Sequence, residues 1–369
     1  MRVALEGRSH LPTVYRLYEI RGETQGAEGR AQTMIHLWYG NEQRIGHLGD
    51  GQSDFNLQGD VEDPSFLQSL TCSINGSFPE WELQVGGRPD GYGDGRRLAR
   101  TGHFNADIPI DVLRPGENVV TLTATYREGD PFHLTAYVEL EPGEYPLPVL
   151  IDWSRVERVQ DAGQCVDGNW AVQDDGLRTL HTGYDRVFLI GERSWRDYEV
   201  NVRVTIHRVD DDTGPRSGGN GLGILHRFQG HVVGGPRNFA PNQPKWGYQP
   251  FGAITWLRWM NGSDQDPDIQ FYRGDGDGMS GHGTFKPELD TTYHLKARCT
   301  TQPESSDDLG VTVYQFKLWE QDTEEPAAWA FEEKQESRSA LRSGGVVLLA
   351  HHVDVTFGNV VVYDHTEHV

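Results

Sequence analysis

The chain has 369 residues and a formal net charge of −22 at pH 7, from 33 Lys plus Arg against 55 Asp plus Glu. A chain this acidic repels a phosphate backbone, no Lys/Arg cluster offsets the field, and no run of about 18 apolar residues is present to span a membrane. Nucleic acid and membrane-spanning roles are therefore set aside. Gly, Trp and Tyr number 44, 10 and 14, and amphipathic helical stripes are missing, which points to an all-β chain long enough for two cores.

The opening residues Met1 to Gly7 lack the apolar core of a signal peptide, so a soluble protein is expected, extracellular if a leader has been removed and otherwise cytoplasmic. Strand-like segments then follow at Thr33–Tyr39, Leu70–Ile74, Trp81–Val85, Phe104–Ile110, Asn118–Tyr126 and Leu134–Val138. Three prolines between Glu141 and Pro148 interrupt the pattern and place a linker near residue 145. Two domains are expected, residues 1–145 and 146–369. The cysteines Cys72, Cys165 and Cys299 are odd in number and lack C-x-x-C spacing, which argues against a disulfide framework.

Beyond the linker, Asn169–Leu180 reads as two strands around the turn Asp175-Gly176. Tyr198–Ile206 alternates strictly from Glu199, with Val200, Val202, Val204 and Ile206 on one face. Further strands are predicted at Gly221–Phe228, Ala253–Met260, Ile269–Arg273, Tyr293–Arg298, Tyr314–Trp319 and in the closing run Val346–Tyr363. Gly and Pro accumulate at residues 209–219 and 230–250, predicting long loops of the kind that border sites. The whole region reads as a large antiparallel two-sheet sandwich of jelly-roll type.

Two resemblances follow from particular motifs. Ser73-Ile74-Asn75-Gly76, Arg96 to Arg100, Phe104-Asn105 and Leu113-Arg114-Pro115-Gly116-Glu117-Asn118 resemble bacterial immunoglobulin-like modules, which implies an N-terminal immunoglobulin-like sandwich. Trp170 with Asp175-Gly176, Tyr198-Glu199-Val200 before Gly221-Leu222-Gly223-Ile224, and Phe357-Gly358-Asn359-Val360 resemble the concanavalin A-like or laminin-G-like superfamily, nearest the bacterial 3-keto-disaccharide hydrolase-like domains. This second resemblance spans about residues 151–369 and implies a sugar-facing surface. It also implies a structural Ca²⁺ between first and last strands, for which Asp152 and Asp354 are the nearest equivalents; no organic cofactor is expected. Such relatives show a Glu-Tyr-Gln segment and an Asp-His pair before the final strand; here the first is missing and His351-His352 stands in place of the second.

The densest chemical constellation is His226, Arg227, Gln229 and His231 with Trp246, Tyr248, Trp256, Arg258, Trp259 and Tyr272. Strand alternation puts Trp256 with Arg258 and Gln270 with Tyr272, so that one sheet presents aromatic and cationic groups together. A ring covers the apolar face of a pyranose while Arg, Gln and His bond its hydroxyls, so carbohydrate is the expected partner. His226, Arg258, Tyr272 and His352 are the expected catalytic groups if the chain cleaves glycans, and His226, Arg227, Arg258 and Tyr272 also supply the types a uronate lyase needs. His351 and His352, adjacent on a strand, are expected to point to opposite faces. The alternatives are binding without catalysis and a structural or protein-interaction module.

Overall fold

The computed structural model describes residues 34–77, 80–87, 97–173, 176–230, 251–274, 278–302, 310–336 and 340–366. His231, Trp246 and Tyr248, and the turn residue Asp175, lie outside them. Among the described residues the chain is built from strands and a few 3₁₀ turns.

Residues 35–140 form a two-sheet sandwich. A three-stranded sheet of Ile35–Leu37, Asp54–Val61 and His103–Pro109 faces a five-stranded sheet in the order Glu42–Ile45, Phe132–Leu140, Gly116–Tyr126, Leu67–Ile74, Trp81–Glu82. Phe55, Leu57, Leu70, Cys72, Phe104, Leu122 and Val138 are buried between them. The chain enters the Gly116–Tyr126 strand through a tight turn: Gly116 takes φ +85°, a left-handed value that glycine adopts without strain, and Asn118 Oδ1 accepts the Arg114 N–H while its Nδ2 donates to the Arg114 carbonyl.

Residues 149–364 form a larger sandwich of jelly-roll type. One sheet has seven strands in the order Gln164–Asp167, Arg186–Ile190, Gly345–His351, Asn220–Phe228, Ala253–Trp259, Asp268–Arg273, Met279–Thr284. The other has Trp170–Gln173, Gly176–Thr179, Val353–Asp364, Tyr198–Val209, Thr292–Gln302, Val311–Glu320 and Phe331–Gln335, with Val149–Ile151 also pairing to the closing strand. Val200, Val202, Val204 and Ile206 point inward as their alternation requires, against Leu222, Ile224, Leu348 and Ala350 of the facing sheet. The closing run is two strands in two sheets: Gly345–His351 belongs to the seven-stranded sheet and Val353–Asp364 to the eight-stranded one, and only His352 separates them.

A seam of polar contacts joins the sandwiches. Gln58 Nε2 donates to the carbonyls of Cys165 and Val166, both at 2.8 Å, Tyr39 Oη donates to Gly168 O at 2.8 Å, and Arg97 is ion-paired with Asp107 and Asp167. The Asp54–Val61 strand is one of the elements that sequence patterning missed. Phe55, Leu57 and Val61 face its own core, while Asn56 and Gln58 are buried toward the seam, so its alternate positions are polar although both faces are covered.

Candidate functional site

The seven-stranded sheet carries a second buried layer on the face turned away from its partner sheet, comprising Val187, Leu189, Ile254, Trp256, Val347 and Leu349 among others. Strand register sets side chains on this face in rows. One row runs from His351 through Gly221 and Arg258 to Asp268, with Asp185 immediately before the first strand residue at its near end. The next row runs through Leu349, Gly223, Trp256 and Gln270.

The two glycines make this surface. A Cβ on Gly221 would lie 2.8 Å from Trp256 Cε3, and one on Gly223 would lie 2.5 Å from Trp256 Cβ. With both Cβ atoms absent, the Trp256 indole packs against the backbone of the neighbouring strand. The Arg258 guanidinium stacks 4.4 Å from its centroid, and its Nη2 donates to Gly218 O. Burial pulls the Arg258 pKa down to about 10, so it is still a cation at neutral pH. Gln270 Nε2 donates to Asp268 Oδ2 at 3.3 Å, which fixes the amide and turns Oε1 away from that carboxylate.

At the other end of the row, His351 Nδ1 lies 2.7 Å from Asp185 Oδ1 and 3.2 Å from the Asp185 N–H. The two contacts demand opposite tautomers. The shorter one, with a carboxylate as acceptor, is the stronger, so Nδ1 carries the proton and Nε2 presents a lone pair. Burial is the first cause that drives the His351 pKa down to about 3, against the opposing pull of Asp185. Arg258 Nη1, Gln270 Oε1 and His351 Nε2 have no hydrogen-bond partner among the described residues, and these side chains are 7%, 5% and 0% exposed.

His352 corrects the expectation that adjacent histidines point apart. Its φ of +54° breaks strand alternation at the crossing between sheets, and the two imidazoles meet edge to face at 4.7 Å. His352 Nδ1 contacts Thr213 Oγ1 at 2.9 Å and Nε2 contacts Ser217 Oγ at 2.6 Å, so it pins the 210–219 loop whose Gly218 carbonyl receives Arg258. Burial lowers its pKa to about 4.

Other expected site residues lie elsewhere. His226 faces the core between the sheets, 6.1 Å from the Tyr198 ring and 5.5 Å from Tyr314, with Nε2 3.1 Å from Thr255 Oγ1; burial drives its pKa down to about 3. Arg227, at φ +54° in a bulge, is fully buried and donates to Asp197, Thr301, Thr312 and the carbonyls of Arg196 and Leu341. Both serve the fold: His226 faces inward by the same alternation as Leu222 and Ile224, and the bulge at Arg227 buries the guanidinium. Trp259 is a core residue, and Gln229 is spent on the carbonyls of Arg193 and Ser343. Tyr272 shares the outer face, but its register partner Ile254 is four residues from Arg258, about 13 Å along the strand. Asp185 escaped sequence reading because the strand it precedes, Arg186–Ile190, was not recognised.

The expected calcium ligands do not fit a common ion. Asp152 accepts from Ser154 N and Oγ and pairs with Arg155, whereas Asp354 is held bidentately by Arg178. The strand next to Asp152 pairs at Val360–Val362, six residues or about 20 Å along the closing strand from Asp354. Among the described residues no group of three His, Cys, Asp or Glu side chains is placed to hold a metal ion.

No protein-family model matches the sequence, and no curated protein is detectably similar to it. Solved structures of similar shape include a carbohydrate-binding module, CBM66 from Bacillus subtilis, at 14% identity and TM-score 0.34, covering 55% of this chain and 96% of that one. The exoplasmic/lumenal domain of VIP36 in its Ca²⁺- and Man2-bound form matches at 14% identity and TM-score 0.34, covering 55% and 84%. A Bacillus subtilis protein of unknown function with a galectin-like fold matches at 13% and 0.34, covering 55% and 86%.

Proposed function

We propose that this chain is a carbohydrate-binding β-sandwich protein whose ligand face is the Trp256, Arg258, Gln270 and His351 surface of the seven-stranded sheet. The observation that carries the reading is three buried polar atoms without a partner among the described residues, set on two adjacent rows of one sheet face around the Trp256 indole. Orphaned polar atoms are costly in a dry site unless something bonds them, and an amphipathic ligand supplies both the apolar face and the hydroxyls. The N-terminal sandwich is read as an accessory module.

The Asp185–His351 pair favours a second reading, glycan cleavage with His351 as base. Its lowered pKa weighs against that reading, since a base held near 3 is a poor proton acceptor at neutral pH. Binding is therefore the leading proposal.

A glycan array followed by calorimetry tests it. Arg258→Met is expected to lose at least about tenfold in affinity, from one charge-assisted bond. His226→Phe is expected to bind as the parent does, and unchanged melting of both variants would exclude global effects. Full affinity in Arg258→Met would sink the assignment.

A further inference from the structure

Resting on that reading of the site, we infer that the face selects uncharged, hydroxyl-rich sugars and rejects their carboxylated counterparts. Arg258, taken alone, suggests the opposite, because a buried guanidinium is a natural receptor for a carboxylate. Its row decides the matter. Asp185 and Asp268 stand at the two ends of the row that holds Arg258, two carboxylates against one guanidinium, and His351 is neutral. A uronate would bring a third carboxylate into a site where charges are poorly screened.

The unpartnered atoms point the same way. Gln270 Oε1 accepts only, with its amide fixed by Asp268, and His351 Nε2 accepts only, with its tautomer fixed by Asp185. Arg258 Nη1 donates only. A ligand that satisfies two acceptors and one donor must itself donate twice and accept once. Neighbouring hydroxyls do both, whereas a carboxylate has no proton for either acceptor and would leave lone pairs facing lone pairs.

The experiment uses the full chain on an array that pairs neutral gluco-, galacto-, manno- and xylo-oligosaccharides with glucuronate, galacturonate and mannuronate oligomers, with hits titrated by calorimetry. The expected result is binding of a neutral series, at least tenfold weaker binding of its uronate counterpart, and a loss of about tenfold in Gln270→Met. Uronates binding as tightly as or more tightly than neutral sugars, with affinity lost in Arg258→Met, would overturn this inference while leaving the face as a glycan site. If no glycan of either class binds, both fall. A change in tryptophan fluorescence on binding that is lost in Trp256→Phe places the ligand at Trp256, and binding retained in full by both Gln270→Met and Arg258→Met overturns the inference.

Discussion

At the scale of the residue, Arg227 shows how a catalytic-looking side chain can belong wholly to the fold. Its guanidinium is out of water and its Nη2 donates to Asp197 Oδ1 at 3.0 Å, an acceptor that the Thr301 N–H also reaches at 2.6 Å. Arg227→Met keeps much of the volume but strands the Asp197 carboxylate, so unfolding free energy is expected to fall by about 3–5 kcal/mol in urea titration. A loss below about 1 kcal/mol would show that the pair is dispensable. The neighbouring His226 should behave differently. Its Nδ1 has no partner among the described residues, so His226→Phe deletes an unsatisfied atom together with the Nε2 contact to Thr255 Oγ1, while keeping a ring stacked on Tyr198 and edge to face with Tyr314.

At the scale of the element, His352 is the joint where the chain passes from one sheet to the other, and it also anchors the 210–219 loop. Asp210 N donates to the His352 carbonyl at 3.0 Å, as does Asn220 Nδ2 at 2.8 Å, so backbone and ring hold the same loop from two sides. His352→Ala removes only the ring contacts. Hydrogen exchange across residues 210–219 should rise at least tenfold while the strands on either side stay protected, and unchanged exchange in the loop would refute the anchoring role. This joint also marks the limit of what the sequence conveys. Alternation correctly placed Trp256 with Arg258 and Gln270 with Tyr272, because those strands are regular. It failed at Arg227 and His352, where a left-handed residue re-aims the side chains and no Gly or Asn signals the turn. Arg186–Ile190 was also illegible, since a strand covered on both faces does not alternate.

At the scale of the whole molecule, the dominant feature is a set of imidazoles held neutral by burial. His226, His351 and His103 are driven to about 3, and His47 and His352 to about 4, against an ordinary 6.5, with burial the largest cause in each. They occupy the seam, the inter-sheet core and the candidate site, so their titration reports on the molecule as one body. The sign follows from proton counting. Between about pH 6.5 and 4 the unfolded chain binds protons at these positions that the folded chain refuses, so unfolding takes up protons and stability falls as pH falls. Each such histidine contributes up to about 1.4 kcal/mol per pH unit within that window, and the contribution is complete above pH 6.5. The urea midpoint is therefore expected to be level from pH 8 to 7 and to drop steeply by pH 5. His103→Phe should reduce the slope by removing one titrating group, and stability that stays level from pH 7 to 5 would mean that these rings reach solvent.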